Sequence, residues 1–228
     1  LLSVKLVASL LEKVHISANP VDSRSLIITD ENFGNAQPIN SVSKENVRSY
    51  FKNNLTKIQV VSGFIASTKK GETTTLGRNG SNYTAALLAN YLDAEELQNY
   101  THVSGIFTAN PEMVADAKKI EQLSFSEANE LANFGATILH AKTIIPLLEK
   151  NINLRVLNTF NKEDKGTLIT SESSVKGIKS ISTTDHVALL NFEGRGLLGK
   201  VGVDARIFRV LSDKNISVSI ISQGSSER

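Results

Sequence analysis

The chain has 228 residues, 40% hydrophobic and 21% charged, the composition of a globular protein able to bury a core. Its net charge is only +2, and Lys and Arg are interleaved with Asp and Glu, so there is no basic tract for a nucleic-acid backbone. With no cysteine, a disulfide framework, a thiolate metal site and a thiol nucleophile are excluded, and no apolar run is long enough for a bilayer. No nucleic acid and no membrane are expected as partners, and the cytoplasm is the expected compartment.

Residues 1–15 place Leu2, Leu6, Leu10 and Val14 on one helical face, with Val7 and Leu11 beside them. The apolar run 25–30 predicts a short buried strand, followed by a loop over 31–39 and a helix over 43–53. Residues 57–67 are rich in β-branched side chains and predict a central strand. A polar Gly/Thr loop then leads into 80–92, an Ala- and Leu-rich helix. A strand is expected near 97–103. Asn110 and Pro111 read as an N-cap with proline at the first helical position. Ser124 and Glu127 have the spacing of a capping box, and Gly135 suits the end of that helix. Another helix is expected over 139–150, bent or shortened at Pro146, and strands over 154–160 and 166–170. The alternation predicts an α/β layered domain with a mostly parallel sheet.

The small, polar stretch 171–177 reads as a linker. Beyond it the pattern restarts as a strand over 178–192, a tight loop, a helix over 200–215 and a strand over 216–223. One helix on two strands buries too little surface to be stable alone, so this unit reads as incomplete. The chain starts at Leu1 and closes on that unfinished pattern, so it is expected to be an internal piece of a longer protein.

The run that carries chemistry is TTTLGRNGSNYTAA, residues 73–86. Threonines and two glycines precede a helix that opens on Ser81 and Asn82. The free N–H groups and positive dipole end of such a helix attract anions. Gly77 and Gly80 let the backbone approach a ligand, and the planar fork of Arg78 suits a carboxylate or phosphate. The run matches neither the P-loop nor the dinucleotide-binding glycine pattern. The four histidines, at 15, 102, 140 and 186, have no metal-ligand spacing. Lys142 reads as a solvated lysine on a helix, Glu127 as a cap, and Tyr83 and Phe125 as core residues.

The 73–86 run closely resembles the TTTLGRGGSDYTAA signature of the aspartate kinases within the amino-acid kinase family. ENFGNAQP (31–38), VSGFIAS (61–67), YTHVSGIFTANPE (100–112), LSFSEANELANFGATILHAKTIIP (123–146) and NTFNKEDKGTLI (158–169) are similar to further motifs of that family, in order. The GRNGS variant and ISVSIISQGSSE (216–227) lean toward the forms fused to homoserine dehydrogenase. The resemblance implies a three-layer α/β/α sandwich of the amino-acid kinase type over 1–170, lacking its N-terminal part. It further implies a linker over 171–177 and an incomplete ferredoxin-like ACT regulatory domain over 178–228.

By the same resemblance the substrates are L-aspartate and ATP with Mg²⁺, and the product is an acyl phosphate. Arg78 and Asn82 are implied catalytic residues, and Arg78, Ser81 and Asn82 the aspartate contacts. Thr101, His102, Phe107, Glu112, Thr137 and Ile138 are implied for ATP. Asn82, His102, Phe107, Glu112 and Thr137 depart there from the family's Asp, Asp, Tyr, Arg and Lys. Arg195, Gly196, Leu198, Ser219 and Gln223 are implied contacts to an amino-acid effector, threonine or lysine. The ACT unit implies a homodimer or higher homo-oligomer. The family's N-terminal phosphate-binding motif is not in this sequence, so the piece alone is expected to be inactive. An effector-binding module without catalysis is the alternative reading.

Overall fold

A computed structural model describes residues 1–133, 140–172, 177–183, 187–192 and 201–222. The described chain divides into two compact units, Leu1–Thr184 and Asp185–Arg228. In the first, α1 (Leu2–Lys13) leads into β1 (Ala18–Val21), and a 3₁₀ turn at Ser23–Ser25 leads into β2 (Ile28–Thr29). After α2 (Asn40–Lys52), β1 pairs in parallel with β3 (Ile58–Val61). β2 pairs in parallel with β4 (Ile65–Thr68), which turns back antiparallel onto β5 (Thr73–Thr75). Next come α3 (Gly80–Leu92), β6 (Glu96–Thr101), β7 (Gln122–Ser124), α4 (Phe125–Asn133), α5 (Ala141–Lys150), β8 (Asn153–Asn158) and β9 (Thr167–Thr170). The last four strands form one sheet in the order β6-β8-β9-β7, with β6·β8 and β7·β9 parallel and β8·β9 antiparallel.

Two apolar clusters hold these layers together. Leu123, Phe125, Ile144, Leu147, Leu154, Val156 and Ile169 fill the space between the β6–β9 sheet and α3, α4 and α5. Val21, Leu26, Ile27, Val47, Ala66, Leu76 and Leu87 do the same for the earlier strands with α2 and α3. Burial of that apolar surface is the main term favouring the fold. α3 contributes to both clusters, and its buried Ala and Leu face explains why its ends match the sequence reading.

The capping box is formed as its spacing predicts. Glu127 N–H donates to Ser124 Oγ at 3.2 Å, and the Glu127 carboxylate accepts from Ser124 N–H at 2.8 Å. Pro146 lies inside α5 without ending it.

Several expectations need correction. The run 57–67 is two strands, β3 and β4, broken at Ser62-Gly63-Phe64, because each half pairs with a different partner strand. Of 25–30 only Ile28 and Thr29 are strand, since Asp22 caps a 3₁₀ turn just before them. Asn110 closes a turn, not a helix: its carbonyl accepts from Met113 and Val114, both of which stay exposed, so no apolar face rewards continuation. The leucine stripe of α1 is also exposed, Leu2 at 82% and Leu6 at 59%, and the helix meets β1 and β3 through the smaller Ala8.

In the expected strand 178–192, residues 178–183 and 187–192 carry no strand, nor do residues 216–222 of the expected strand 216–223. A strand is defined by its ladder, and among the described residues these segments form none. Lys179 Nζ instead lies 2.9 Å from the Glu127 carboxylate, Ser180 Oγ donates to the Phe107 carbonyl, and Ile181 N–H to the Thr108 carbonyl. Residues 179–181 thus belong with the first unit. In the second unit, α6 (Val203–Asp213) is the one regular element among the described residues. Gly135 lies outside the described residues.

An ion pair ties the β6 and β8 strands together beyond their ladder. Arg155 Nη2 lies 3.0 Å from Glu96 Oε2, and both side chains are mostly covered. The Arg155 guanidinium holds the Glu96 carboxyl below its ordinary value of 4.5, against the opposing effect of burial. A depressed folded-state value contributes stability that is present above the unfolded pKa and lost as pH falls through the folded one. Denaturant midpoints of the parent protein and Arg155→Met should therefore differ at neutral pH and converge as pH drops below that value. A gap that stays constant from pH about 7 to about 3 would contradict the assignment.

Candidate functional site

The β4–β5 hairpin delivers the chain to buried Leu76, and from there it must reverse into α3 within three residues. Gly77 (φ +79) and Asn79 (φ 56) take left-handed backbone to make that turn. At Gly77 a Cβ would lie 2.7 Å from Asn35 Oδ1, and at Gly80 it would lie 2.7 Å from the Phe64 ring. Both positions therefore require glycine, as close backbone approach demands. Gly63 sits equally tightly against Ser81. Thr84 Oγ1 donates to the Gly80 carbonyl at 2.9 Å and accepts from Phe64 N–H at 3.1 Å, clamping the strand break to the helix start.

The side chain of Asn79 makes no capping bond. Gly80 N–H donates instead to the Gly77 carbonyl at 3.0 Å, and a concavity of about 490 Å³ beside this helix start is lined by Gly34, Phe64, Gly77, Arg78, Asn79, Gly80, Ser81 and Asn82. Arg78, Ser81 and Asn82 are brought together here as the sequence suggested. Among the described residues no carboxylate lies within ion-pair distance of Arg78.

Sequence reasoning missed what lies behind the loop. Lys142 is not a solvated lysine: it is half-buried, and its Nζ donates to Asn35 Oδ1 at 2.5 Å and to the Leu76 carbonyl at 3.4 Å. It too has no carboxylate within ion-pair distance among the described residues. His140 caps α5, its Nδ1 accepting from Lys142 N–H at 3.2 Å. Burial first, then the charges of Lys142 and Arg78, hold the His140 imidazole below its ordinary pKa. The concavity thus places the Arg78 charge beside a helix N-terminus, an arrangement suited to a small anion. Asn35 could have been found through the 31–38 motif, whereas nothing local to Lys142 signals its position.

None of the described residues implied for ATP lines that concavity. Thr101 ends β6, with its Oγ1 3.4 Å from His102 Nδ1 and its carbonyl accepting from Thr159 N–H. Phe107 forms a bridge with Lys119, and exposed Glu112 donates its N–H to Asn110 Oδ1. A second concavity of about 430 Å³ lies at the C-terminal ends of β6 and β8, lined by Tyr100, Leu157, Asn158, Thr159, Asn161, Lys162 and Asp164. Carboxyl ends of parallel strands are the usual ligand side of an open α/β sheet. Ser219 lies exposed in 216–222. Thr137, Ile138, Arg195, Gly196, Leu198 and Gln223 lie outside the described residues.

A model described as the amino acid kinase family matches residues 1–158. The chain belongs to the amino acid kinase family. A model of the ACT domain matches residues 190–228, so a regulatory-type unit follows the kinase unit, as the sequence predicted. The chain is 42% identical, over 75% of its length, to a bifunctional aspartokinase/homoserine dehydrogenase of Haemophilus influenzae, of which it spans 21%. It is 34% identical over 97% of its length to the lysine-sensitive aspartokinase 3 of Escherichia coli, of which it spans 50%. The solved structure of aspartokinase III from Escherichia coli, in complex with aspartate and ADP, superimposes with a TM-score of 0.84. There the identity is 31%, covering 97% of this chain and 50% of that one. The kinase unit is homologous to aspartate kinases, and the chain spans half or less of these relatives' lengths.

Proposed function

We propose that the full-length protein is an aspartate kinase that moves the γ-phosphoryl of ATP onto the β-carboxylate of L-aspartate. An oxygen of that carboxylate bonds to the γ-phosphorus, the bond from phosphorus to the β,γ-bridging oxygen breaks, and ADP leaves with the electron pair. The observation that carries the reading is Arg78 in the concavity at the start of α3, with no carboxylate within ion-pair distance among the described residues. Similarity to proteins named as aspartokinases supports it.

In this reading Arg78 pairs with a carboxylate of aspartate through its planar fork, and Ser81 and Asn82 present N–H groups and side chains to the same small acid. Asn82 cannot hold a negative charge, so it acts as a hydrogen-bonding, orienting group and not as a base. Such transfer depends on alignment and on neutralising crowded charge, not on covalent help. The nucleotide is assigned to Thr101, His102, Phe107, Glu112, Thr137 and Ile138. The Tyr100–Lys162 concavity at the ends of β6 and β8 suits a flat base and a phosphate. Mg²⁺ is proposed to arrive with the ATP phosphates. Among the described residues no three His, Asp or Glu side chains converge to form a protein cage for it. The test is aspartate-dependent ADP release with hydroxylamine trapping of the acyl phosphate. ADP release without a trapped acyl product would sink the proposal.

A second reading rests on the ACT match over 190–228. We infer an amino-acid effector site, for threonine or lysine, involving Arg195, Gly196, Leu198, Ser219 and Gln223, and a protein fused to homoserine dehydrogenase. Val187, Leu189, Val218 and Ile220 are exposed apolar residues in segments without a ladder, which suits pairing with a second copy. Calorimetry with each amino acid and light scattering for mass test these points, and a strict monomer would contradict the pairing. The division into 1–170, a linker over 171–177 and a regulatory unit over 178–228 is proposed with it. The cytoplasm is the proposed compartment. No described helix is long and apolar enough to cross a membrane.

A further inference from the structure

The loop that carries Arg78 is held from behind by a residue far along the chain. Gly77 packs directly on Asn35, whose Oδ1 would be 2.7 Å from a Cβ at that position. The same Asn35 oxygen accepts from Lys142 Nζ at 2.5 Å, and that ammonium also reaches the carbonyl of Leu76, the residue just before the turn, at 3.4 Å. A third bond, from Ala36 N–H to the Thr75 carbonyl at 2.9 Å, fastens the 34–36 segment to β5. Lys142 itself is fixed at the start of α5, where its own N–H is taken by His140. An ammonium has three donors and no carboxylate lies within ion-pair distance of this one among the described residues, so its charge is spent on backbone and amide oxygens.

We propose that Lys142 is a positioning residue for aspartate: acting through Asn35 and the Leu76 carbonyl, it fixes the Gly77 turn and so the direction of Arg78. The inference rests on the aspartate kinase reading and deepens it. A loop with two left-handed residues, Gly77 and Asn79, has several alternative courses open to it. Tying its first carbonyl and its neighbouring segment to one ammonium removes most of them. The lysine does not need to touch the substrate to set how well the substrate is held, since small misplacements of a binding group are costly.

The test uses the full-length protein. Lys142→Met should raise the KM for aspartate about five- to twentyfold while leaving kcat and the KM for ATP within about twofold. Lys142→Arg should recover most of the loss, because a guanidinium can donate to the same two oxygens. Asn35→Leu should raise the aspartate KM similarly, and the double variant should be little worse than either single one, because the two act as a unit. A fall in kcat with the aspartate KM unchanged would overturn the proposal, placing Lys142 on the reacting phosphoryl instead. So would a silent Asn35→Leu. If the parent protein itself forms no aspartyl phosphate, the kinase reading fails first. If the parent is active and only these variants are silent, the positioning role fails alone.

Discussion

Arg78→Ala in the full-length protein should raise the KM for aspartate about 10- to 150-fold, with the KM for ATP nearly unchanged. Arg78 lines the concavity at the start of α3 and has no carboxylate partner within ion-pair distance among the described residues. Its charge is therefore available to a ligand, with no internal pair to break first. Losing one charge-assisted pair costs about 1.5–3 kcal/mol, which is the range of that KM change. The described residues assigned to ATP do not line the same concavity, so removal of the guanidinium should spare the nucleotide. Arg78→Lys should fall between, because an ammonium keeps the charge and loses the planar fork. An unchanged aspartate KM in Arg78→Ala would remove the central residue of the proposed site. A rise in both KM values together would mean that the loop serves the nucleotide as well.

Gly166→Ala should be the most damaging of the small substitutions, lowering stability by about 3–5 kcal/mol. Gly166 takes φ +66 at the entry to β9, and a Cβ there would lie 1.9 Å from the carbonyl oxygen of Val156. That neighbour is backbone of β8, paired with β9 through Val156 and Thr167. The strands would have to part to admit a methyl group. The same movement would disturb Thr167, whose hydroxyl donates to the Ile120 carbonyl at 2.6 Å and accepts from Ile106 N–H at 2.8 Å. Gly71 provides the control, since it takes φ +84 in the β4–β5 turn with nothing within 4 Å of a built Cβ. Gly71→Ala should therefore cost only the backbone strain, about 1–2 kcal/mol. Urea midpoints of the two variants separate crowding from strain. Equal losses at both positions would show that contact with β8 adds nothing.

What the sequence by itself determined are the features written in a few adjacent residues. α3, the Ser124–Glu127 capping box and the strands β6 and β8 were legible because helix propensity, cap chemistry and apolar patterning act over one or two turns. The anion-binding character of residues 77–82 was legible too, since glycine, arginine and a helix start lie side by side. The break of 57–67 was not legible, because Phe64 is driven to φ 73 by the close seating of Gly63 on Ser81 and Gly80 on Phe64, and by two different partner strands. The apolar runs over 187–192 and 216–222 have strand composition, but a ladder is a property of two segments and not of one. Lys142 is the clearest case. It reads as one more lysine on a helix, and it meets Asn35 across 107 positions only because α5 packs against α3. Charge type is set by the sequence; which oxygen that charge reaches is set by packing, through contacts that no local pattern records.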